Sequence, residues 1–212
     1  MHLYQYLLKN GVKSRETAKY LISNELVKVN NCVVTYPELP IGKDDDVEIV
    51  DKRFLDVPGS FWKMKEIQDS INLIQKGDMV LDIESPDGGF PLFAKSMEAL
   101  VTVLAIRDLD FLKGIDVKKC NVSKIDPKVF FNHKFDVIIN EMEIDIMKSL
   151  QTIERFIPLL SSKGKMLMFL SEKERRDDDL KEIVENVLRR EKLEVIEFLK
   201  GEKGIYAYLK RF

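Results

Sequence analysis

The chain has 212 residues, 45% hydrophobic and 33% charged, with a formal net charge of −2. That length suits one small module and one medium α/β domain, and the charge balance excludes a wholly basic nucleic-acid binder while allowing a local basic face. Two cysteines and two histidines suggest neither a disulfide framework nor a metal centre. No apolar run approaches the roughly 18–20 residues of a membrane span, and "MHLYQYLLKNGVKS" lacks the pattern of a signal peptide. A soluble, cytoplasmic protein of a reducing compartment is expected, with no metal and no membrane partner.

Residues 1–50 read as a small module. "LYQYLLKN" has a helical period and ends at Gly11, a C-terminal stop. Ser14 can cap a second helix, "RETAKYLISN", with Glu16 in its first turn and Ala18, Leu21 and Ile22 on its inner face. Two β-rich runs, "LVKV" and "CVVTY", meet at Asn30–Asn31, a pair that tolerates positive φ and suits a tight hairpin. "DDDVEIV" predicts a third strand. Residues 51–60 carry charge, Pro58 and Gly59 and read as a linker.

Residues 61–212 alternate. Helix "FWKMKEIQDSINLI" precedes strand "MVLDI", helix "FPLFAKSMEA" and strand "VTVLAI". Then come "VKKCNV", a short helix from Pro127 to Phe131, strand "FDVIIN" and the amphipathic "IDIMKSLQTIERFIPLLSS". Strand "KMLMFL", helix "DDLKEIVENVLRREK" and strands "EVIEFL" and "IYAYLKRF" finish the chain. Such alternation predicts an α/β fold with a parallel sheet covered on both faces. The link "KGEKG" between the last two strands permits only a hairpin, so one strand at the edge is expected to run antiparallel. Trp62 and Phe61 read as packing residues where linker meets core.

The stretch "VLDIESPDGGF" follows the first strand of the larger domain, where doubly wound folds bind ligands. Glycines there let the backbone approach a ligand, and the next helix presents free N–H groups. The run resembles the S-adenosylmethionine loop of FtsJ-like RNA methyltransferases and the related hemolysin A family, roughly L-D-x-G-x-x-x-G-G-F/W. Leu81, Asp82, Gly88, Gly89 and Phe90 match, while Glu84 replaces the first glycine and Asp87 the usual small residue or proline. The first module resembles the α-L RNA-binding domain of ribosomal-protein type. Its S-R-x-x-A-x-x-L-I signature and V-x-V-N-G-x-x-V hairpin are matched at Ser14, Arg15, Ala18, Leu21, Ile22, Val29, Asn30 and Val34, with Asn31 in place of the glycine.

This resemblance covers nearly the whole chain and implies an RNA-binding domain followed by a class I, Rossmann-like methyltransferase domain with a mostly parallel seven-stranded sheet. It implies S-adenosylmethionine as cofactor and RNA, ribosomal by analogy, as partner. The cofactor residues it points to are Asp82, Glu84, Ser85, Gly88, Gly89 and Phe90 in the loop, Asp108 beyond the second strand, Asn121 and Val122 beyond the third, and Asn140 ending the fourth. The second strand ordinarily ends in an acid that holds the ribose hydroxyls; here Arg107 stands near that position and Asp108 follows it. Lys9, Lys13, Arg15, Lys19 and Lys28 are the candidate RNA contacts, Arg15 and Lys19 sharing a helix face.

FtsJ-like enzymes use a Lys-Asp-Lys-Glu arrangement for methyl transfer to a ribose 2′-hydroxyl, a lysine being the proposed base. Only part of it carries over. Lys65, with Lys63 as the less favoured choice, supplies the first lysine, and Glu141 stands for the aspartate. Phe169 to Ser171 occupy the second lysine's place with Lys173 just beyond, and Tyr206 and Ala207 occupy that of the glutamate. The resemblance therefore implies a methyltransferase-like protein with an altered catalytic set, or a non-catalytic RNA-binding or ribosome-associated factor that uses the fold as a scaffold. A methyltransferase for a small molecule or protein is a third alternative.

Overall fold

A computed structural model describes residues 1–52, 55–171, 177–201 and 204–212. The chain divides into two compact units, Met1–Glu66 and Ile67–Phe212. The division falls inside helix α3 (Gly59–Ile71), so residues 51–60 lie wholly within the first unit.

The first unit packs α1 (Leu3–Lys9) and α2 (Arg15–Ser23) on a small antiparallel sheet of β1 (Val27–Val29), β2 (Cys32–Val33) and β3 (Val47–Ile49), with β1 central. Ser14 caps α2, its hydroxyl accepting from the Thr17 N–H at 3.0 Å. Leu3, Leu7, Ala18, Leu21, Ile22 and Val27 form the core, following the helical and two-residue periods of the sequence. Asn30 and Asn31 turn the hairpin at φ 53° and 64°, the left-handed pair that a two-residue turn demands. The acidic run after the hairpin serves this turn: Asp45 accepts from the Asn30 side-chain amide at 2.8 Å and from the Gly42 N–H at 2.7 Å. Trp62 is buried, stacks on Tyr20 with ring centroids 3.4 Å apart, and donates its indole N–H to the Thr17 hydroxyl at 3.1 Å. It is a packing residue, as read from the sequence.

The second unit is built on a seven-stranded sheet of order β6-β5-β4-β7-β8-β10-β9. The strands are β4 (Met79–Ile83), β5 (Leu100–Ala105), β6 (Asp116–Lys119), β7 (Phe135–Asn140), β8 (Leu160–Ser171), β9 (Leu193–Lys200) and β10 (Gly204–Arg211). Helices α4 (Gly89–Ser96), α5 (Pro127–Phe130), α6 (Ile146–Glu154) and α7 (Asp177–Leu188) connect them. Strands β4 to β8 pair in parallel, whereas β10 runs antiparallel to both β8 and β9.

The antiparallel strand therefore sits one place in from the edge, not at it. Composition explains the order: Ile205 to Leu209 of β10 are all buried, whereas β9 exposes Glu194, Glu197 and Ile196, and a charged strand suits an open edge. The segment expected as one amphipathic helix from 144 to 162 also divides. Asp145 caps α6 through the Met147 and Lys148 N–H groups, α6 ends at Glu154, and Pro158 lies in a 3-10 turn before β8. Strand order and direction place the carboxyl ends of β4, β5, β6 and β7 along one margin of the sheet.

Candidate functional site

Buried strand β4 delivers Asp82, with no exposed surface, to the carboxyl margin of the sheet. Asp82 Oδ1 accepts from the Ser85 N–H at 3.3 Å, while Oδ2 has no hydrogen-bond partner among the described residues. Burial, and then the charge of Glu141, hold this carboxyl well above the ordinary range. The chain turns at Glu84 with φ 61°, whose N–H donates to the Leu104 carbonyl at 2.8 Å. It turns again at Gly88 with φ 74°, and α4 opens at Gly89, whose N–H meets Asp87 Oδ1 at 3.1 Å. A side chain at Gly88 would strike the ring of Phe111 at 2.9 Å and Leu112 at 3.1 Å, so the loop after β5 lies across this glycine.

Glu141, one residue past β7, is almost fully buried. Its Oε2 accepts from the Ser85 hydroxyl at 3.1 Å and its Oε1 from the Tyr206 hydroxyl at 3.0 Å. Burial and the Glu141 charge raise the phenol's pKa, which keeps it the donor. Tyr206 lies between Phe90 and Phe169, at ring-centroid distances of 6.1 and 5.2 Å. The two positions that carry Phe and Tyr in place of a lysine and a glutamate are thus cross-strand partners, Tyr206 opposite Phe169. Sequence reading counted Tyr206 only as a departure; its bond to Glu141, 65 residues away, is a tertiary fact.

The other candidates separate. The Glu84 carboxylate turns toward the end of β5, where Oε2 accepts from the Ile106 N–H at 3.4 Å, and burial raises its pKa. Its charge contributes to raising the Cys120 thiol, after burial. Asp108 pairs with Lys119 at 2.7 Å, and Arg107 donates to the Pro86 carbonyl at 3.1 Å. Asn121 Oδ1 accepts from the Ser123 N–H at 3.1 Å, and Val122 belongs to the core. Asn140 is engaged internally: its amide N–H donates to the Ser149 hydroxyl at 2.9 Å and its oxygen accepts from the Met142 N–H at 3.2 Å.

In the first unit Lys9, Lys13, Arg15 and Lys19 are exposed and Lys28 is half-buried. Lys13 pairs with exposed Asp56 at 3.0 Å, and the Arg15 guanidinium lies 4.8 Å over the Tyr4 ring. Lys65 is half-buried on the first unit's part of α3, and Lys173 lies outside the described residues. Among the described residues no group of three or more metal-ligating side chains occurs, and no helix is long and apolar enough to cross a membrane.

No family model matches the chain. A curated relative, ribosomal RNA large subunit methyltransferase E of Wolbachia pipientis wMel, is 28% identical over 86 residues, 39% of this chain and 45% of its own length. The chain thus spans less than half the length of that relative. A solved structure from Streptococcus thermophilus, described as a hemolysin, superposes over 100% of this chain and 88% of its own at TM-score 0.61 and 16% identity. A Plasmodium falciparum structure described as a ribosomal RNA methyltransferase gives 0.59 at 12% identity, over 73% of this chain and 97% of its own. Magnesium protoporphyrin IX methyltransferase from Synechocystis, with S-adenosylmethionine bound, gives 0.55 at 11%, covering 73% and 80%. At these identities the likeness to solved structures is one of fold. With its sheet order and its β4–loop–α4 turn, the second unit has the class I methyltransferase fold, and in sequence the chain is similar to a ribosomal RNA methyltransferase.

Proposed function

We propose that this chain is an RNA-binding protein of the ribosomal RNA methyltransferase kind that holds S-adenosylmethionine at the β4–α4 loop. Its lysine-centred arrangement for 2′-hydroxyl methylation has been replaced. Residues 1–50 are the RNA-binding module and residues 61–212 the methyltransferase-like domain. The observation that carries the reading is the loop itself: a buried Asp82 with one oxygen unpartnered among the described residues, followed by left-handed Gly88 at the mouth of α4.

Those residues fit the cofactor. The α4 N-terminus suits the carboxylate of the methionine part, and approach to the Gly88 backbone requires the Phe111 ring to move aside. Bound there, S-adenosylmethionine supplies an activated methyl group. The proton-accepting half of the chemistry is what has changed. Glu141 is bound by Ser85 and Tyr206, and Phe169 fills the place of the expected second lysine. Lys65 is the one lysine of the expected arrangement that remains in the sequence, and a lysine needs its pKa lowered to serve near neutrality.

A second reading, a non-catalytic RNA-binding scaffold, is favoured by the Phe111 ring lying against Gly88. Calorimetric titration with S-adenosylmethionine separates the two: micromolar binding supports the first, and absence of binding overturns it. RNA recognition is tested independently. Reversing Arg15 and Lys19 to glutamate is expected to weaken RNA binding and reduce its dependence on salt, since each lost phosphate contact removes about 0.7–0.9 from the log–log slope. Unchanged binding by the double variant would remove the RNA face from the proposal.

A further inference from the structure

We infer that Glu84 is the acid that holds the ribose diol of the cofactor's nucleoside, delivered from the loop after β4 and not from the end of β5. The inference rests on the proposed cofactor reading and goes further, because it assigns a role to the residue that most departs from the loop's pattern.

A vicinal diol presents two O–H donors, and a carboxylate presents two acceptor oxygens in matching geometry. In a doubly wound sheet the acid that meets the diol stands at the carboxyl margin, beside the strand next to the glycine loop. Here the end of β5 supplies none. Its last residue is Ala105, Ile106 is apolar, Arg107 reaches back to the Pro86 carbonyl, and Asp108 is held by Lys119. Glu84 fills that gap from the neighbouring strand. Its carboxylate crosses to the Ile106 N–H, just past the end of β5.

Four further observations support the assignment. Glu84 keeps a left-handed backbone, φ 61°, which glycine would hold without strain, so the side chain there is tolerated at a cost. Oε2 receives the Ile106 N–H, whereas Oε1 accepts no hydrogen bond among the described residues. The carboxylate is half-buried, and burial raises its pKa against the Ile106 N–H and the Arg107 charge; two ligand hydroxyls would act in the same sense as those two. Asn121, next to the Cys120 thiol that feels the Glu84 charge, has its oxygen engaged by Ser123 and its amide N–H groups available for a base edge.

The test is calorimetry on the full chain with S-adenosylhomocysteine and with its 2′-deoxyribose analogue, using wild type, Glu84→Gln and Glu84→Gly. Wild type is expected to bind S-adenosylhomocysteine and to lose about 10- to 100-fold in either variant, the range for a charged hydrogen bond. Affinity for the deoxy analogue should change less on Glu84→Gln, because one of the two partner hydroxyls is already gone. Equal or tighter binding of S-adenosylhomocysteine by Glu84→Gly overturns the assignment and makes the carboxylate a barrier. Failure of both wild type and Glu84→Gly to bind defeats the cofactor reading itself, and this inference with it. Unchanged RNA binding and far-ultraviolet circular dichroism across the set exclude misfolding as the cause.

Discussion

The hairpin of the first unit and the cofactor-type loop of the second meet the same backbone demand with different residues. Each needs a left-handed residue where the motif it resembles has glycine; the first uses Asn31 at φ 64°, the second Glu84 at φ 61°. Asparagine enters that region readily, and the neighbouring Asn30 and Asp45 tie the turn with exposed hydrogen bonds. Glutamate has no such local compensation. Around it the support is buried: the next residue, Ser85, bonds Glu141 far along the chain, and Glu141 bonds Tyr206. A substitution that leaves φ unchanged is thus nearly silent in one place, while in the other it introduces a charge.

The largest expected effect tests the difference in support. Glu141→Ala strands the buried hydroxyls of Ser85 and Tyr206 and should cost the second unit about 2–4 kcal/mol in urea unfolding. Asp45→Ala, at the exposed hairpin, should leave the midpoint almost where it was. Comparable losses would mean that burial does not distinguish the two loops. Next comes the backbone itself. Glu84→Gly relieves left-handed strain and gives back some unfolded-state entropy, for a net gain of about 0.5–1 kcal/mol. Asn31→Gly should stay within about 0.5 kcal/mol of zero. Thermal denaturation of the pair decides it, and a destabilised Glu84→Gly would contradict the strain argument.

The remaining effect is a slope with pH and concerns Asp82, which has no counterpart in the first unit. Its carboxyl is raised in the folded chain, so the native state keeps a proton that the unfolded chain loses near the ordinary value of about 4. Above that value the native state binds more protons than the unfolded one. Stability therefore falls as pH rises toward the folded pKa and levels off beyond it. Asp82→Asn should remove this slope, which can reach about 1.4 kcal/mol per pH unit. Parallel melting curves for the two proteins from pH 4 to 7 would show that Asp82 titrates normally.

Local pattern carried much of the fold. The period of "RETAKYLISN", the Asn30–Asn31 turn and the runs "MVLDI" and "FDVIIN" each became the expected element because their apolar residues face a core. What the sequence could not show depends on three-dimensional competition. The more apolar β10 takes the inner place over charged β9, and Pro158 lies in a separate turn after α6. At the site, Asp82, Gly88 and Gly89 were legible because strand, turn and helix are contiguous. The engagement of Asn140 by Ser149, the withdrawal of Asp108 to Lys119 and the direction of Glu84 were not, since each depends on a partner set by folding.

The Trp62–Tyr20 stack has one more consequence. Trp62 is the sole tryptophan of the chain, and its indole is enclosed within the first unit. Excitation of the protein at the red edge therefore reports on that unit alone, while the far-ultraviolet dichroism sums the helices and strands of both units. The chain carries its own reporter, so the melting of the first unit, and its response to RNA, can be followed without a label and set against the dichroism of the whole.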